Sequence, residues 1–237
     1  MKPVLCKALG VCKSYVSGGV ELHAVRPLEM EIRSGELTLL MGPSGSGKTT
    51  LISMLAGLLT PSSGSVQLFG DDLTLRSERE RSLIRRHQVG FVFQQDNLFP
   101  ALSALDNVVE ILRLKGLSKQ DANGRARDTL TKVGLGDRLS HLPAQLSGGQ
   151  RQRVAIARAL AGFPRLVFGD EVTAALDGKT AFSVMGLLRE FVSDSTGVLI
   201  VTHDSRLERF ADRVLSMEDG HLVSDRNLTP LAIGATS

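Results

Sequence analysis

The sequence contains no tryptophan, a single tyrosine and only two cysteines. Cys6 and Cys12 fit neither a disulfide-stapled secreted scaffold nor a metal spacing, and they read as reduced, inert packing residues. No apolar run reaches the ~18 residues needed to cross a bilayer. The first ten residues, MKPVLCKALG, offer neither a long apolar stretch nor a small-residue cleavage site. The expectation is a cytosolic chain, unless a partner holds it at a membrane. A surplus of one charge sign is missing too: 28 Lys and Arg stand against 25 Asp and Glu, a net charge of +3. No nucleic-acid partner is expected from that balance. Arg76, Arg79, Arg81, Arg85 and Arg86 do cluster, but Glu78 and Glu80 interleave with them, the pattern of a solvated helix face.

What is present is an ordinary globular composition, 42% hydrophobic and 22% charged. Short β-branched runs alternate with longer helical stretches, which points to an α/β fold. Strands are expected at Gly35–Met41, Val89–Phe93, Arg165–Phe168 and Val198–Thr202. The last three are almost continuously apolar, as in a sheet covered on both faces. Between Gln94 and Phe163 strand signals vanish and helical pattern takes over, broken by Pro100, Gly116, Gly134, Gly136 and Pro143. The reading is one domain over residues 1–225. Its core is formed by about 1–93 and 164–225, and a helical lobe of about 94–163 is inserted between two strands. Residues 226–237, with Pro230 and Gly234, read as a loose tail.

The segment Gly42-Pro43-Ser44-Gly45-Ser46-Gly47-Lys48-Thr49 has the phosphate-loop spacing, glycine, four residues, Gly-Lys-Thr. Its glycines let successive backbone N–H groups turn toward one anion, and the following helix points its positive end at the same place. Lys48 is expected to reach the β- and γ-phosphates, and the Thr49 hydroxyl to ligate Mg²⁺. Further along, Leu166 to Gly169 is an apolar strand that ends in Asp170 and Glu171, a Walker B arrangement. Asp170 is expected to hold Mg²⁺ through water, and Glu171 to act as the general base on the attacking water. Gln94 and His203 also end strands. A lone histidine is more often a structural hydrogen-bonder, but at the end of a strand in the same sheet His203 reads as a γ-phosphate contact.

Leu146-Ser147-Gly148-Gly149-Gln150 opens a second apolar helix with glycines, offering another helix dipole to an anion. With this motif the chain resembles the ATP-binding-cassette ATPases, whose signature is LSGGQ. The resemblance covers nearly the whole chain, in the family's order: phosphate loop, Gln94, signature, Walker B, Asp177, His203. It implies a P-loop core with an inserted α-helical subdomain, ATP and Mg²⁺ as ligands, and a head-to-tail dimer enclosing two nucleotides. In that dimer Ser147, Gly148, Gly149 and Gln150 of one subunit would face the nucleotide held by Gly42–Thr50 of the other, with Asp177 crossing the interface. Tyr15 would stack on adenine, the less favoured alternative being a surface strand residue. Gln94 joins Thr49 and Asp170 as a metal-side residue, and Lys48, Gln94, Glu171 and His203 form the catalytic set.

The same resemblance implies an integral membrane permease as partner, gripped by the helical lobe, with the chain at the cytoplasmic face of the inner membrane. The strings TAALD (Thr173–Asp177) and VTHD are most similar to the branch serving macrolide, lipoprotein, heme and glycolipid exporters. A soluble ATPase of the same class, in DNA repair or translation, is the alternative, although its usual coiled coil, zinc module or second cassette is missing. Two positions depart from the family pattern. Val172 stands where proline is usual, and Gly169 where alanine or a larger apolar residue is commoner. Both are expected to loosen the backbone that aims Glu171. Proline at 172 is expected to change turnover several-fold at most.

Overall fold

The computed structural model describes residues 2–228. In chain order the elements are β1 (Val4–Ser17), β2 (Val20–Arg33), β3 (Leu37–Met41), α1 (Lys48–Leu55), β4 (Ser63–Leu68), β5 (Asp71–Asp72), α2 (Glu78–Gln88) and β6 (Val89–Val92). They continue with α3 (Ala104–Leu114), α4 (Lys119–Lys132), α5 (Gly148–Leu160), β7 (Leu166–Asp170), α6 (Gly178–Phe191), β8 (Gly197–Val201), β9 (Arg213–Glu218) and β10 (His221–Asn227). The expected α/β architecture is present, and the four expected strands lie within a residue or two of their places.

Two sheets carry the fold. One has the order β10-β9-β3-β8-β7-β6, parallel throughout except for the β10–β9 pair. Strands β7 and β8 are buried at every residue, which is why their sequences are unbrokenly apolar. The other sheet, β2-β1-β4-β5, is antiparallel. Its two 14-residue strands were not legible in the sequence. The β1–β2 register shifts between Ala8 and Val11 and again between Val11 and Lys13, so the alternation that marks a half-buried strand loses phase.

Three apolar clusters follow from these layers. Leu51, Ile52 and Leu55 of α1 pack between the sheets with Val11, Ile32, Leu68 and Phe168. The opposite face of the parallel sheet packs on α5 and α6 through Val167, Ile200, Ile156, Val184 and Leu188. Val108, Leu112, Ala126, Leu130 and Val154 form the third cluster, in α3–α5. Those helices stand between β6 and β7 in sequence, although the two strands are hydrogen-bonded neighbours in the sheet.

Each helix from α2 to α6 starts at a serine or aspartate whose side chain accepts the N–H three residues on: Ser77, Ser103, Ser118, Ser147 and Asp177. The arginine-rich stretch forms α2, with no fully buried residue and Arg81 and Arg85 both paired to Glu78. Cys6 is buried, and that burial pushes its thiol far up from its usual range. The tail reading needs one correction. Arg226 and Asn227 belong to β10 and pair with Val214 and Arg213, and the Leu228 N–H donates to the Asp212 carbonyl. Residues 229–237 lie outside the described residues.

Candidate nucleotide site

Helix α1 is the exception to the capping rule. Its N-cap is Gly47 in a left-handed conformation, φ 96°, and no side chain caps its first turn. Those amides are left for a ligand, which is the arrangement an anion requires. The glycines here are sterically required. A β-carbon at Gly42 would stand 2.0 Å from the Met217 carbonyl oxygen, and one at Gly47 would stand 2.1 Å from that of Ala24. Strands β9 and β2 therefore press directly on the loop. Lys48 is buried, and its ammonium donates to the carbonyls of Gly42 at 2.9 Å and Pro43 at 2.7 Å. Ser46 is also buried, its hydroxyl 3.4 Å from the same ammonium.

At the far end of the loop the Thr49 hydroxyl donates to Asp170 Oδ1 at 3.2 Å, joining positions 121 residues apart. Asp170 ends β7 and is 7% exposed. Burial raises its carboxyl above the usual aspartate range. The neighbouring Glu171 charge adds to the rise, while the Thr49 hydrogen bond and Lys48 oppose it. A hydroxyl and a carboxylate brought together in this way are the hard oxygen donors that suit Mg²⁺.

Glu171 has φ 48°, in the left-handed region, with its N–H donated to the Val201 carbonyl at 3.0 Å. Its Oε1 lies 3.0 Å from His203 Nδ1. Its Oε2 is buried without a hydrogen-bond partner among the described residues. An orphaned buried oxygen is costly unless a water or a substrate group meets it. Ala24, most of Gly42–Thr50, Gln94, Glu171 and His203 line one cavity of about 570 Å³. That volume is in the range of small-molecule sites.

The remaining predicted residues lie elsewhere. Tyr15 is exposed on the β1–β2 hairpin, away from the cavity lining, with Lys13 Nζ 5.3 Å above its ring. Ser147 caps α5 in a reciprocal pair, its Oγ accepting from the Gln150 N–H and Gln150 Oε1 from the Ser147 N–H. Unlike α1, this helix end is covered by its own side chains. Gly148 is exposed there, and Gly149 packs toward Thr180. Asp177 caps α6, and its hydrogen bonds from Thr180 hold its carboxyl below the usual range.

The sequence reading missed how the segment after Gln94 is held. Arg151 Nε donates to Asp96 Oδ2 at 2.8 Å, and Arg158 donates to the Asp96 and Asn97 carbonyls at 2.9 and 2.7 Å. Helix α5 is thus tied to the strand end that carries Gln94. The sequence signal was Arg151 and Arg158, two of the three arginines on α5.

A protein-family model described as "ABC transporter" matches residues 25–174. The chain belongs to the ATP-binding-cassette (ABC) transporter family. Within it, the lipoprotein-releasing system ATP-binding protein LolD of Pseudomonas syringae pv. tomato is 47% identical over 219 residues, covering 92% of this chain and 96% of that protein. The macrolide export ATP-binding/permease protein MacB of Nitrobacter winogradskyi is 38% identical over 236 residues, 100% of this chain but 37% of its own longer one. A solved dimer of the ATP-binding cassette MJ0796, in a post-hydrolysis state bound to ADP and Pi, superposes with a TM-score of 0.89. It is 38% identical and covers 96% of this chain and 100% of that one. The protein is accordingly an ATP-binding and ATP-hydrolysing subunit of an ABC transporter, and these relatives lend no support to a soluble repair or translation factor. Among the described residues no helix is long and apolar enough to cross a membrane.

The two positions that depart from the family pattern are closely packed. Val172 is 2% exposed, within the core between the parallel sheet and α6. The space beside Gly169 is filled by Val172 Cγ1 and Ile200 Cδ1.

Proposed function

We propose that this chain drives a separate integral membrane permease by hydrolysing Mg-ATP in the cavity between the phosphate loop and Glu171. The observation that carries the reading is the convergence of Lys48, Gln94, Glu171 and His203 on that one cavity. The N–H groups of Gly42–Thr50 and the Lys48 ammonium hold the phosphates. Thr49, Asp170 and Gln94 hold Mg²⁺, which when bound neutralises phosphate charge and fixes its orientation. The Glu171 carboxylate takes the proton of the attacking water, and His203 orients that carboxylate and contacts the γ-phosphate.

Two copies close head to tail, so that Ser147, Gly148, Gly149 and Gln150 of one face the nucleotide on the other, with Asp177 at the seam. Tyr15 stacks on adenine from the hairpin. The cassette extends through β10 to Leu228, and its lobe over 94–163 engages the permease at the cytoplasmic face of the membrane. The relatives' roles in lipoprotein release and macrolide export favour an exporter-type partner handling an amphipathic cargo. Glu171→Gln tests the core of this reading. The variant is expected to bind ATP, to lose nearly all turnover and to run as a dimer in ATP by light scattering. A monomer that hydrolyses at the wild-type rate would reject it.

A further inference from the structure

Gly169 is fully covered, two residues before Glu171 on β7. Its φ lies outside the left-handed region, so its backbone does not require glycine. The requirement comes from its neighbours. A β-carbon built there meets Ile200 Cδ1 at 2.6 Å and Val172 Cγ1 at 2.7 Å, distances real β-carbons essentially never show. The Ile200 atom is the end of a flexible side chain and can swing away. Val172 Cγ1 sits on the β-branched carbon of a side chain with few rotamers, in a core with little free volume. Relief at Val172 must therefore come largely through its backbone, and that backbone follows Glu171 directly.

We propose that Gly169 and Val172 are a matched pair of positioning residues, in which the missing side chain of one makes room for the γ-methyl of the other and so sets the aim of the Glu171 carboxylate. Glu171 stands between them in a left-handed conformation, φ 48°, with its N–H on Val201 and its carbonyl accepting from the Ala174 N–H at 3.0 Å. A shift of Val172 rotates this short turn and moves Oε1 relative to His203 Nδ1. Neither residue lines the cavity that holds the phosphate loop, so the pair is expected to act on turnover rather than on nucleotide affinity. The inference rests on the reading of Glu171 as the general base.

The test is a mutant cycle with Gly169→Ala, Val172→Ala and the double variant, reading kcat and KM for ATP separately. Gly169→Ala alone is expected to lower kcat by about tenfold, a part of the general-base contribution, with KM unchanged. Val172→Ala removes Cγ1 and makes room for the new methyl, so the double variant is expected to return to within about threefold of wild type. Losses that simply multiply in the double variant would overturn the pairing, as would a Gly169→Ala enzyme with normal kcat. If Gly169→Ala does not fold, the double variant against Val172→Ala decides. Equal or higher kcat in the double supports the pair, and a lower one overturns it. Glu171→Gln run alongside separates the two levels. Should it hydrolyse normally, the general-base reading has failed, whereas an inactive Glu171→Gln beside an additive cycle rejects the pair alone.

Discussion

His203 Nδ1 and Glu171 Oε1 stand 3.0 Å apart, brought together from the ends of β8 and β7 across 32 residues of sequence. Against a carboxylate, the imidazole nitrogen must be the donor, so a neutral ring keeps only an acceptor at Nε2. Such a ring cannot also donate to a phosphate oxygen. Contact with a phosphate oxygen therefore requires a change in this pair when nucleotide binds. His203→Ala is expected to lower kcat by about 10²-fold with ATP binding retained. A single-turnover rate near wild type would remove His203 from the mechanism. Ring ¹⁵N shifts that stay unchanged on adding a non-hydrolysable ATP analogue would show that the Glu171 bond persists with nucleotide bound.

The placement of the signature residues away from the Lys48 cavity makes complementation in trans the direct test of the dimer. Lys48→Ala and Ser147→Arg subunits are each expected to be inactive. Mixed, they form heterodimers with one intact composite site, and activity should exceed that of either parent. A mixture no better than the parents' average would reject the head-to-tail arrangement or show that both sites must fire together.

Val172→Pro is where structure and sequence disagree. Sequence alone predicts a stiffer turn and a change of several-fold at most. The left-handed Glu171, φ 48°, changes that expectation, because proline disfavours compact backbone conformations in the residue before it. Val172→Pro is now expected to lower kcat by at least about tenfold, within the reach of a misaimed general base, while ATP affinity stays within experimental scatter. Steady-state hydrolysis and equilibrium ATP binding on the same preparation check it. Faster hydrolysis would show that the turn adapts without cost.

Stability of the helical lobe depends on Asn107, fully buried at the second turn of α3. Its amide donates to the carbonyls of Phe99, Leu102 and Ser103, and its Oδ1 accepts from the Phe99 N–H at 2.8 Å. Asn107→Ala removes the side-chain partner of the Phe99 N–H and the Leu102 carbonyl and empties a fully buried polar site, at a cost of about 2 kcal/mol. The Phe99 and Ser103 carbonyls keep the Leu102 and Asn107 N–H groups. Denaturant unfolding measures it, and a loss under about 1 kcal/mol would mean that water replaces the side chain.

The chemistry was readable from the linear sequence because it sits in short contiguous motifs. A phosphate loop needs only a strand, glycines and a helix start, and β7 announces itself as an apolar run ending in Asp170-Glu171. The helix starts the structure shows are local too, since one serine or aspartate and the N–H three residues on suffice. Contacts that depend on which faces meet were not readable. Strands β1 and β2 hid behind register shifts that scramble a period of two. Nothing near Gly42 or Gly47 in sequence reveals that the Met217 and Ala24 carbonyls close off their β-carbon positions. Gly169 and Val172 looked like two separate departures that loosen a turn, and packing made them one close contact. Local preference decides which elements form; the space left between packed side chains, which no single segment encodes, decides how Glu171 is aimed.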